Sequence, residues 1–468
     1  MRLRPPAPTA PSPDALVGAV LDAARRGDAR ALDRLEREVL ALAERAPRGD
    51  EGASEAVQAM LLALTRRGDY ARALAFTRRS TALLGYDAIA ASEVMLLIAG
   101  GAVDEARARA EELASAPVAL GGHGLRAIVR TLLGRDADAA ADGATFLAES
   151  EEVGRSLASW RAVARRYGPS SAHVLSRYAA LHAELAAAFP GCRAWAGEPL
   201  AGRTIVLQLL EGLGDQIQAL RFARAVRDAG ARVIVGCDER LHDLVAACRL
   251  ADAFLPRPVP RRHDLGAADF RLVIGPWLHD SGLPVERWPA APYLDPPRLD
   301  APALLDGLEG KRVGIVWAGN PDFVLEGTRG LPYGALKRLV AATPGVQWVG
   351  LLPSSHPRAR DLGATPVTRR VVDAGPTLQS LGDTARLLRH LDLLVTTDSA
   401  PAHLAGALGV PVWLLLGPTF NWRWRLDGDT TPLYPSMRLV REGAAHDGAR
   451  GDWNAAVDRV ARDLGEGA

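Results

Sequence analysis

Three glycines in the first half of the chain, Gly68, Gly101 and Gly134, stand 33 residues apart, each between stretches with helical periodicity. A fourth turn of the same kind, at Gly27, precedes them by 41 residues. Glycine takes the left-handed conformation that ends a helix, and a small residue soon afterwards lets the next helix pack closely. This spacing predicts three to four stacked helical hairpins. The fifth residues after these glycines are small or apolar: Leu32, Ala73, Ala106 and Ala139.

The predicted helical region covers residues 13–190, which are rich in Ala, Leu, Arg and Glu. Its period near 34 resembles tetratricopeptide repeats, most clearly at Gly68, Asp69, Tyr70 and Ala73. The resemblance implies a solenoid whose concave surface holds a peptide or a protein partner. The alternative is that the repeats only scaffold or dimerise the rest of the chain, because helical-repeat folds do not specify a function.

After Gly202 the sequence changes to short β-branched runs separated by helical stretches, a pattern typical of parallel α/β sheets. A proline-rich stretch near residues 284–297 divides these runs into two sets and is predicted to be a linker. We expect two Rossmann-like lobes, residues 200–298 and 299–468, facing each other across a cleft at the carboxyl ends of their strands. The predicted strands are 204–210, 232–236, 271–275, 312–319, 346–352, 392–397 and 411–416.

Composition excludes several classes of protein. The 56 Lys and Arg balance 55 Asp and Glu, so no net positive field favours nucleic acid or an anionic membrane. Cys192, Cys237 and Cys248 lack the spacing of a zinc site or a disulfide framework, and we expect reduced, buried thiols. Prolines interrupt residues 1–12, a predicted disordered tail without a signal-peptide core, and no apolar run approaches the roughly 18–20 residues of a membrane span. A cytoplasmic protein is predicted.

Several motifs of the second half point jointly to one family. EGLGDQIQALRFARAV, VGIVWAGNP and TTDSAPAHLAGALGVPVWLLLG, followed by NWRWRL and YPSMRL, together resemble the family 9 glycosyltransferases, among them the ADP-heptose lipopolysaccharide heptosyltransferases. The resemblance covers the chain from about Gly202 onward. It implies a fold of the GT-B type, and an inverting transfer of a sugar from a nucleotide sugar to an acceptor hydroxyl. Joined to helical repeats, the sequence is similar to bacterial tetratricopeptide-repeat proteins that carry such a domain.

The segment Gly212-Leu213-Gly214-Asp215 follows the first predicted strand of the first lobe and opens a helix. Its glycines permit a tight turn and let a substrate approach the backbone. By position alone, Asp215 could be only a helix cap. The resemblance implies instead that Asp215 is the general base that accepts the proton of the acceptor hydroxyl. Gly212, Gly214 and Gln216 are then predicted to line the acceptor side.

The segment Asp398-Ser399-Ala400 follows the strand DLLVTT and begins another helix. A helix amino end offers unpaired N–H groups and a partial positive charge, which suit a diphosphate. We expect Asp398 to cap the helix, Ser399 and nearby amides including that of Ala400 to bind phosphate, and His403 to make a further contact. The alternative is a capping sequence with His403 packed in an interface. The resemblance implies nucleotide-sugar binding at this helix.

Further donor contacts are predicted at Gly319, Asn320 and Arg329, which lie after the first strand of the second lobe. In heptosyltransferases a lysine three residues before a proline contacts the donor phosphates, and here Arg329 stands three residues before Pro332. Arginine supplies a permanent charge and a bidentate fork, although a solvated surface arginine is the alternative. Trp422 is predicted to stack on the nucleotide or the sugar, or else to pack in a lobe core.

Neither a metal nor a cofactor is expected beyond the nucleotide sugar itself. Asp427 and Asp429 superficially match a metal-binding DxD, but they stand in a predicted turn, where aspartates commonly cap. The sequence has no His, Cys and Asp cluster with the spacing of a metal site.

The repeats ahead of the lobes favour a protein acceptor, such as a surface or flagellar subunit modified before export. A saccharide or a lipid-linked glycan is the alternative acceptor. Two other classes stay open: a non-catalytic protein whose repeats bind a partner while the lobes sense a nucleotide, and a sugar-nucleotide epimerase.

Overall fold

The computed structural model describes residues 11–47, 50–84, 90–118, 122–156, 169–256, 259, 264–275, 289–323, 326–417, 420–441 and 453–466. The predicted tail, the helical stretch at 157–168 and the start of the predicted linker lie mainly outside the described residues. The first part of the chain is helical. Its helices are α1 (Pro13–Arg26), α2 (Ala29–Arg45), α3 (Glu51–Arg66), α4 (Tyr70–Leu84), α5 (Ala90–Ala99), α6 (Val103–Ser115), α7 (His123–Leu132), α8 (Asp136–Arg155) and α9 (Pro169–Ala188).

The four predicted glycine turns share one backbone geometry. Gly27, Gly68, Gly101 and Gly134 have φ of 66°, 73°, 81° and 74°. The N–H that follows each glycine donates to the carbonyl five residues back, which satisfies a carbonyl at the end of the helix. These bonds are Asp28 to Ala23, Asp69 to Leu64, Ala102 to Leu97 and Arg135 to Arg130, at 2.8–3.2 Å. The residues expected to pack closely, Leu32, Ala73, Ala106 and Ala139, are at most 1% exposed. The turn prediction is confirmed.

Helices α1–α8 pack as a stack. Each successive pair is in contact, and so are alternate helices such as α1 with α3, α2 with α4 and α5 with α7. One apolar cluster runs from Leu16 to Ala99, and a second joins α5, α6 and α7. The helical character of this region is thereby established, whereas a tetratricopeptide solenoid stays a prediction.

The next part of the chain forms a parallel sheet, which we call the first lobe. Its strands are β1 (Arg193–Ala194), β2 (Thr204–Leu209), β3 (Arg232–Gly236), β4 (Ala253–Phe254) and β5 (Phe270–Ile274), in the order β1-β5-β2-β3-β4. All three strands predicted here are present. Helix α10 (Leu213–Asp228) follows β2, and α11 (His242–Ala247) follows β3. The two added strands are edge strands of two residues, too short for a sequence period to indicate.

Helix α9 covers one face of this first sheet. A parallel sheet needs an apolar cover on both faces, and the chain draws one cover from the helical region before the sheet. The apolar stripe of a helix predicts burial but not the surface that buries it. The shared cluster includes Leu175, Tyr178 and Leu185 of α9 with Val206, Ile234 and Val273 of the sheet.

The last part forms a second parallel sheet, the second lobe, in the order β11-β10-β9-β6-β7-β8. The four strands predicted here are present. The strands are β6 (Arg312–Val316), β7 (Gln347–Gly350), β8 (Val372–Asp373), β9 (Leu393–Thr397), β10 (Val412–Leu416) and β11 (Met437–Arg441). The helices are α12 (Glu326–Arg329), α13 (Tyr333–Ala342), α14 (Leu381–Leu388), α15 (Ala400–Leu408) and α16 (Trp453–Glu466).

Strand order places the crevices of both sheets. In the first lobe, β3 lies on one side of β2 and β5 on the other. In the second lobe, β6 and β9 are neighbours, and the chain leads from β6 toward one edge of the sheet and from β9 toward the opposite edge. Ligands of such sheets bind at these switch points, beyond the carboxyl ends of the strands. The loops after β2, β6 and β9 are therefore the candidate site.

Two smaller expectations can be checked. The three cysteines are unpaired and buried, as predicted. Among the helices that the structure describes, none is both long and apolar enough to cross a bilayer.

Candidate active site

The loop after β2 presents Asp215 at the first turn of α10. Gly212 is the N-cap residue, and its N–H donates to Asp215 Oδ2 at 3.2 Å. The Asp215 side chain is 21% exposed. The Asp215 carboxylate thus caps its helix and is still partly exposed to solvent. Its role as a cap therefore leaves it able to accept a proton.

The loop after β9 leads into α15, and here the sequence prediction about the cap is wrong. The N-cap residue is Ser399, not Asp398, and its side chain makes no capping bond. The Ser399 hydroxyl instead lies 3.1 Å from the hydroxyl of Thr396, at the end of β9. Asp and Ser are equally good caps, so two adjacent candidates could not be ranked from sequence. Because no side chain caps this end, the amino terminus of α15, including Ala400, keeps its capacity for an anion.

Helices α10 and α15 pack against each other and bring the two loops together. A Cβ on Gly214 would lie 2.7 Å from Cδ2 of His403, so glycine is required for this approach. The His403 ring stacks on Trp424 with centroids 5.5 Å apart, and its Nδ1 lies 2.9 Å from the Tyr434 hydroxyl. The structure therefore joins the loop of Asp215 to the helix of Ser399 through His403.

His403 is held neutral. Burial lowers its pKa well below 6.5, and the cations of Arg423, Arg221 and Arg329 lower it further. Its Nε2 lies 3.8 Å from Asp398 Oδ1. Because the imidazole is uncharged at neutral pH, it orders neighbouring groups by packing and hydrogen bonding rather than by charge.

Arg423 is a residue of the candidate site that the sequence did not indicate. It lies in the short 3₁₀ turn Trp422–Trp424 and donates to Asp215 Oδ1 and to Gln218 Oε1. Burial lowers the pKa of its guanidinium, but the carboxylates of Asp215 and Asp398 outweigh burial and leave that pKa raised. Arg423 lies within the motif NWRWRL, in which the sequence suggested a role for Trp422 and none for the arginine. The available signal was an arginine between two tryptophans.

Gln216 serves the architecture of the first lobe. Its Nε2 donates to the carbonyl of Glu211 at 2.8 Å, and its Oε1 accepts from the N–H of Asp238 at 2.7 Å. The side chain is buried and ties the loop after β2 to the end of β3. Both ends of its amide are thereby engaged within the lobe.

The loop after β6 places the other predicted donor residues beside the site. Arg329 pairs with Glu326 at 2.6 Å and lies over the ring of Phe323, 4.4 Å from its centroid. The N–H of Gly319 donates to Glu326 at 2.6 Å, and Asn320 Oδ1 accepts from the N–H two residues later at 3.1 Å. The charge of Arg329 is thus largely matched by Glu326, although it still acts on His403.

Trp422 lies beside Arg423, whose guanidinium is 5.8 Å from the centroid of its ring. It packs against the apolar cluster of α5, α6 and α7, while Trp424 is fully buried against His403. In a tight 3₁₀ turn, residues two apart point in different directions. Trp422 therefore packs against the helical region, whereas Trp424 packs in the candidate site.

The two aspartates of the DxD sequence differ in what they contact. The carboxylate of Asp427 pairs with Arg107 at 2.5 Å, and the backbone carbonyl of Asp429, not its carboxylate, accepts from the N–H of Leu439 at 2.7 Å. Within the described ranges, no three His, Cys, Asp or Glu side chains are grouped so as to hold a metal ion.

Comparison with known proteins adds the chemistry. Residues 372–450 match the family model described as glycosyltransferase family 9 (heptosyltransferase). Protein FlbA of Caulobacter vibrioides is 27% identical over 308 residues, 59% of this chain and 48% of FlbA. The chain thus spans about half the length of this curated relative.

Two solved structures are also similar. The glycosyl transferase family 9 from Veillonella parvula has a TM-score of 0.44 at 15% identity, covering 58% of this chain and 99% of that chain. The E. coli heptosyltransferase WaaC with ADP has a TM-score of 0.37 at 13% identity, covering 57% and 100%. The family-model match lies in the second lobe and supports glycosyl transfer.

Proposed function

We propose that this protein is an inverting glycosyltransferase that moves a sugar from a nucleotide sugar to an acceptor hydroxyl. One observation carries the proposal: Asp215 at the switch point of the first sheet and the uncapped amino end of α15 at that of the second are joined through His403 and Arg423. The family 9 match of residues 372–450 supports the same chemistry.

Asp215 acts as the general base in this proposal. Its Oδ1 accepts from Arg423, and its Oδ2 accepts one weak bond from Gly212. Each carboxylate oxygen has two lone pairs, so Oδ2 keeps room for an acceptor hydroxyl. As that hydroxyl attacks the anomeric carbon from the face opposite the nucleotide, Asp215 takes its proton. A base positioned in this way contributes about 10²- to 10⁴-fold in rate.

The donor diphosphate binds at the amino end of α15. Unpaired N–H groups and the helix dipole favour negative charge there, and Ser399 adds a hydroxyl. Asp398, beside that end, acts electrostatically on Arg423, whose guanidinium is committed to Asp215. The loop of Gly319, Asn320 and Arg329 lies beside this helix end, and Arg329, although paired with Glu326, adds a cation that offsets the charge of the diphosphate as a divalent metal does elsewhere. We propose a metal-independent reaction on this basis.

We further propose that the acceptor is a protein or a peptide bound by the helical region, in the cytoplasm before export. Support comes from the contact between helices α5–α7 and the segment that carries Arg423. This contact places the helical region beside the segment that reaches the candidate base. A saccharide or a lipid-linked glycan is the competing acceptor.

The test uses the purified full chain with a panel of sugar nucleotides, with nucleotide release and the mass of candidate acceptors as readouts. Asp215→Asn is expected to lower turnover about 10²- to 10⁴-fold while nucleotide binding is retained. Asp228→Asn, at the exposed far end of the same helix, is the matched control and should leave turnover unchanged. Full turnover by Asp215→Asn would refute the assigned base, and inhibition by a chelator would refute metal independence.

A further inference from the structure

A short segment lies between the helical region and the candidate active site. We call residues 421–427 the connector. One side of the connector reaches the site, since Arg423 donates to Asp215 and Trp424 stacks on His403. No function assigned so far uses its other side.

That other side is attached to the helical region by three kinds of contact. The guanidinium of Arg425 pairs with Asp136, the first residue of α8. The N–H of Leu426 donates to the carbonyl of Leu132, at the end of α7, at 3.0 Å. The Leu426 side chain belongs to the apolar cluster of α5, α6 and α7. The exposed pair of Arg107 and Asp427 adds a fourth attachment.

The backbone between these two sides is strained. Arg425 has φ of 61° and ψ of 171°, a conformation that only glycine adopts readily. Such a conformation persists only where the surrounding contacts impose it. The contacts of Arg425 and Leu426 with Asp136 and Leu132 hold this backbone on one side, and Arg441 of the second lobe, which donates to the carbonyl of Trp424 at 2.6 Å, holds it on the other. The direction in which Arg423 points thus depends in part on contacts with α7 and α8.

We propose that helices α7 and α8 position the candidate base by holding the connector in this conformation. Arg423 is the positioning residue: it fixes Oδ1 of Asp215 and leaves Oδ2 for the acceptor. The inference rests on the proposed function, and it makes the helical region part of the catalytic unit in addition to any role in recruiting an acceptor. Because both α10 and the connector contribute to this contact, loosening the attachment releases the carboxylate without touching it.

The first experiment breaks the attachment at a distance from the cleft. Asp136→Arg is expected to lower kcat at least tenfold with the donor KM changed less than twofold. The charge swap Asp136→Arg with Arg425→Asp should restore kcat to within a few-fold of the parent, which also shows that the single variant did not merely misfold. Asp138→Arg, exposed on the first turn of the same helix, is the matched control and should retain full kcat.

The second experiment tests whether the loop that carries Asp215 is held in place, and it does not require enzymatic turnover. Amide hydrogen exchange of residues 213–218 should accelerate in Asp136→Arg and return to the parental rate in the charge swap. Loss of kcat in Arg423→Ala with partial recovery in Arg423→Lys, at constant donor affinity, is the matching result at the site.

Three outcomes would overturn the inference: an unchanged kcat in Asp136→Arg with unchanged exchange, a loss that the swap does not repair, or an equal loss of donor affinity, which would place Arg423 on the donor instead. If the parent chain releases no nucleotide from any donor, the proposed function fails. The exchange measurement then still decides whether α8 positions the loop.

Discussion

Three buried polar side chains set the electrostatics where the lobes meet. Arg221 and Arg423 are 1% and 7% exposed, and His403 is 3% exposed. The guanidinium of Arg221 donates to the carbonyl of Leu433 at 3.1 Å and lies over the Tyr434 ring, 5.4 Å from its centroid. Two fixed cations beside an imidazole disfavour a third charge. The interface thus keeps permanent charge on arginine and none on histidine.

This arrangement predicts a stability that depends on pH. Below pH 6.5 the unfolded chain protonates His403, but burial and the nearby arginines keep the folded ring neutral. The stability contributed by this group is therefore complete above pH 6.5 and is lost as the pH falls, by up to about 1.4 kcal/mol per pH unit. Urea unfolding at pH 7, 6 and 5 should show a steeper loss for the parent than for His403→Gln. Equal slopes would mean that the folded histidine is protonated.

Individual site residues were partly predictable. Asp215, Ser399 and His403 lie in the loops or first helical turns that follow predicted strands, and topology brings such positions together whatever the side chains are. Arg423 was not predictable in the same way. It follows a loop after β10, and its contact with Asp215 depends on how two lobes dock, which spacing along the chain does not encode.

At the scale of elements, the glycine turns set the path of the helical region. Gly27 has φ of 66° with open space around it, so its requirement is conformational rather than steric. Gly18 lies within α1, is exposed and also has open space around it. Comparing the two glycines therefore separates the conformational requirement of the turn from the destabilisation that glycine causes within a helix.

We predict opposite effects for the same substitution at these two sites. Gly27→Ala forces an L-residue into the left-handed region and should lower the free energy of unfolding by about 1–2 kcal/mol. Gly18→Ala removes the flexibility of glycine from a helix interior and should raise it by about 0.5–1 kcal/mol. Chemical denaturation of both variants beside the parent measures the difference. A stabilising Gly27→Ala would show that this turn is not left-handed in solution.

Regular elements were the most predictable level. Most strands of four or more residues are indicated by consecutive β-branched and apolar residues, as in β3 and β10. The five-residue strand β11 was not predicted, because two arginines interrupt its apolar run. The two-residue strands β1, β4 and β8 are defined by their neighbours' hydrogen bonds and leave no period in the sequence. The start of α15 was unpredictable for a similar reason. The Ser399 side chain is engaged with the hydroxyl of Thr396, a contact that the sequence does not indicate.

At the scale of the whole molecule, the helical region and the lobes share apolar surfaces. Leu175, Tyr178 and Leu185 of α9 are at most 1% exposed against the first sheet. Burial of each large apolar side chain contributes roughly 1.5–3 kcal/mol. A boundary drawn at residue 190 therefore cuts through a core, although the break in composition near Pro190 favoured it.

This predicts how truncated chains behave. A chain that begins at residue 191 exposes the first sheet and should aggregate. A chain that begins at residue 169 keeps α9 and should be more soluble, with a higher melting temperature. Soluble yield and thermal unfolding compare the two, and equal behaviour would show that α9 does not cover the sheet. Loss of glycosylation in the shorter chain alone would not identify an acceptor-binding role for the repeats, because folding is lost with it.

The attachment of Leu426 to Leu132 has a further consequence during translation. Roughly 300 residues separate these partners, and at about 5–20 residues per second a ribosome needs about 15–60 s to make them. For that interval the apolar patch on α5, α6 and α7 has emerged without the segment that finally covers it. Newly made chains should therefore depend on a chaperone until the last tenth of the polypeptide is released.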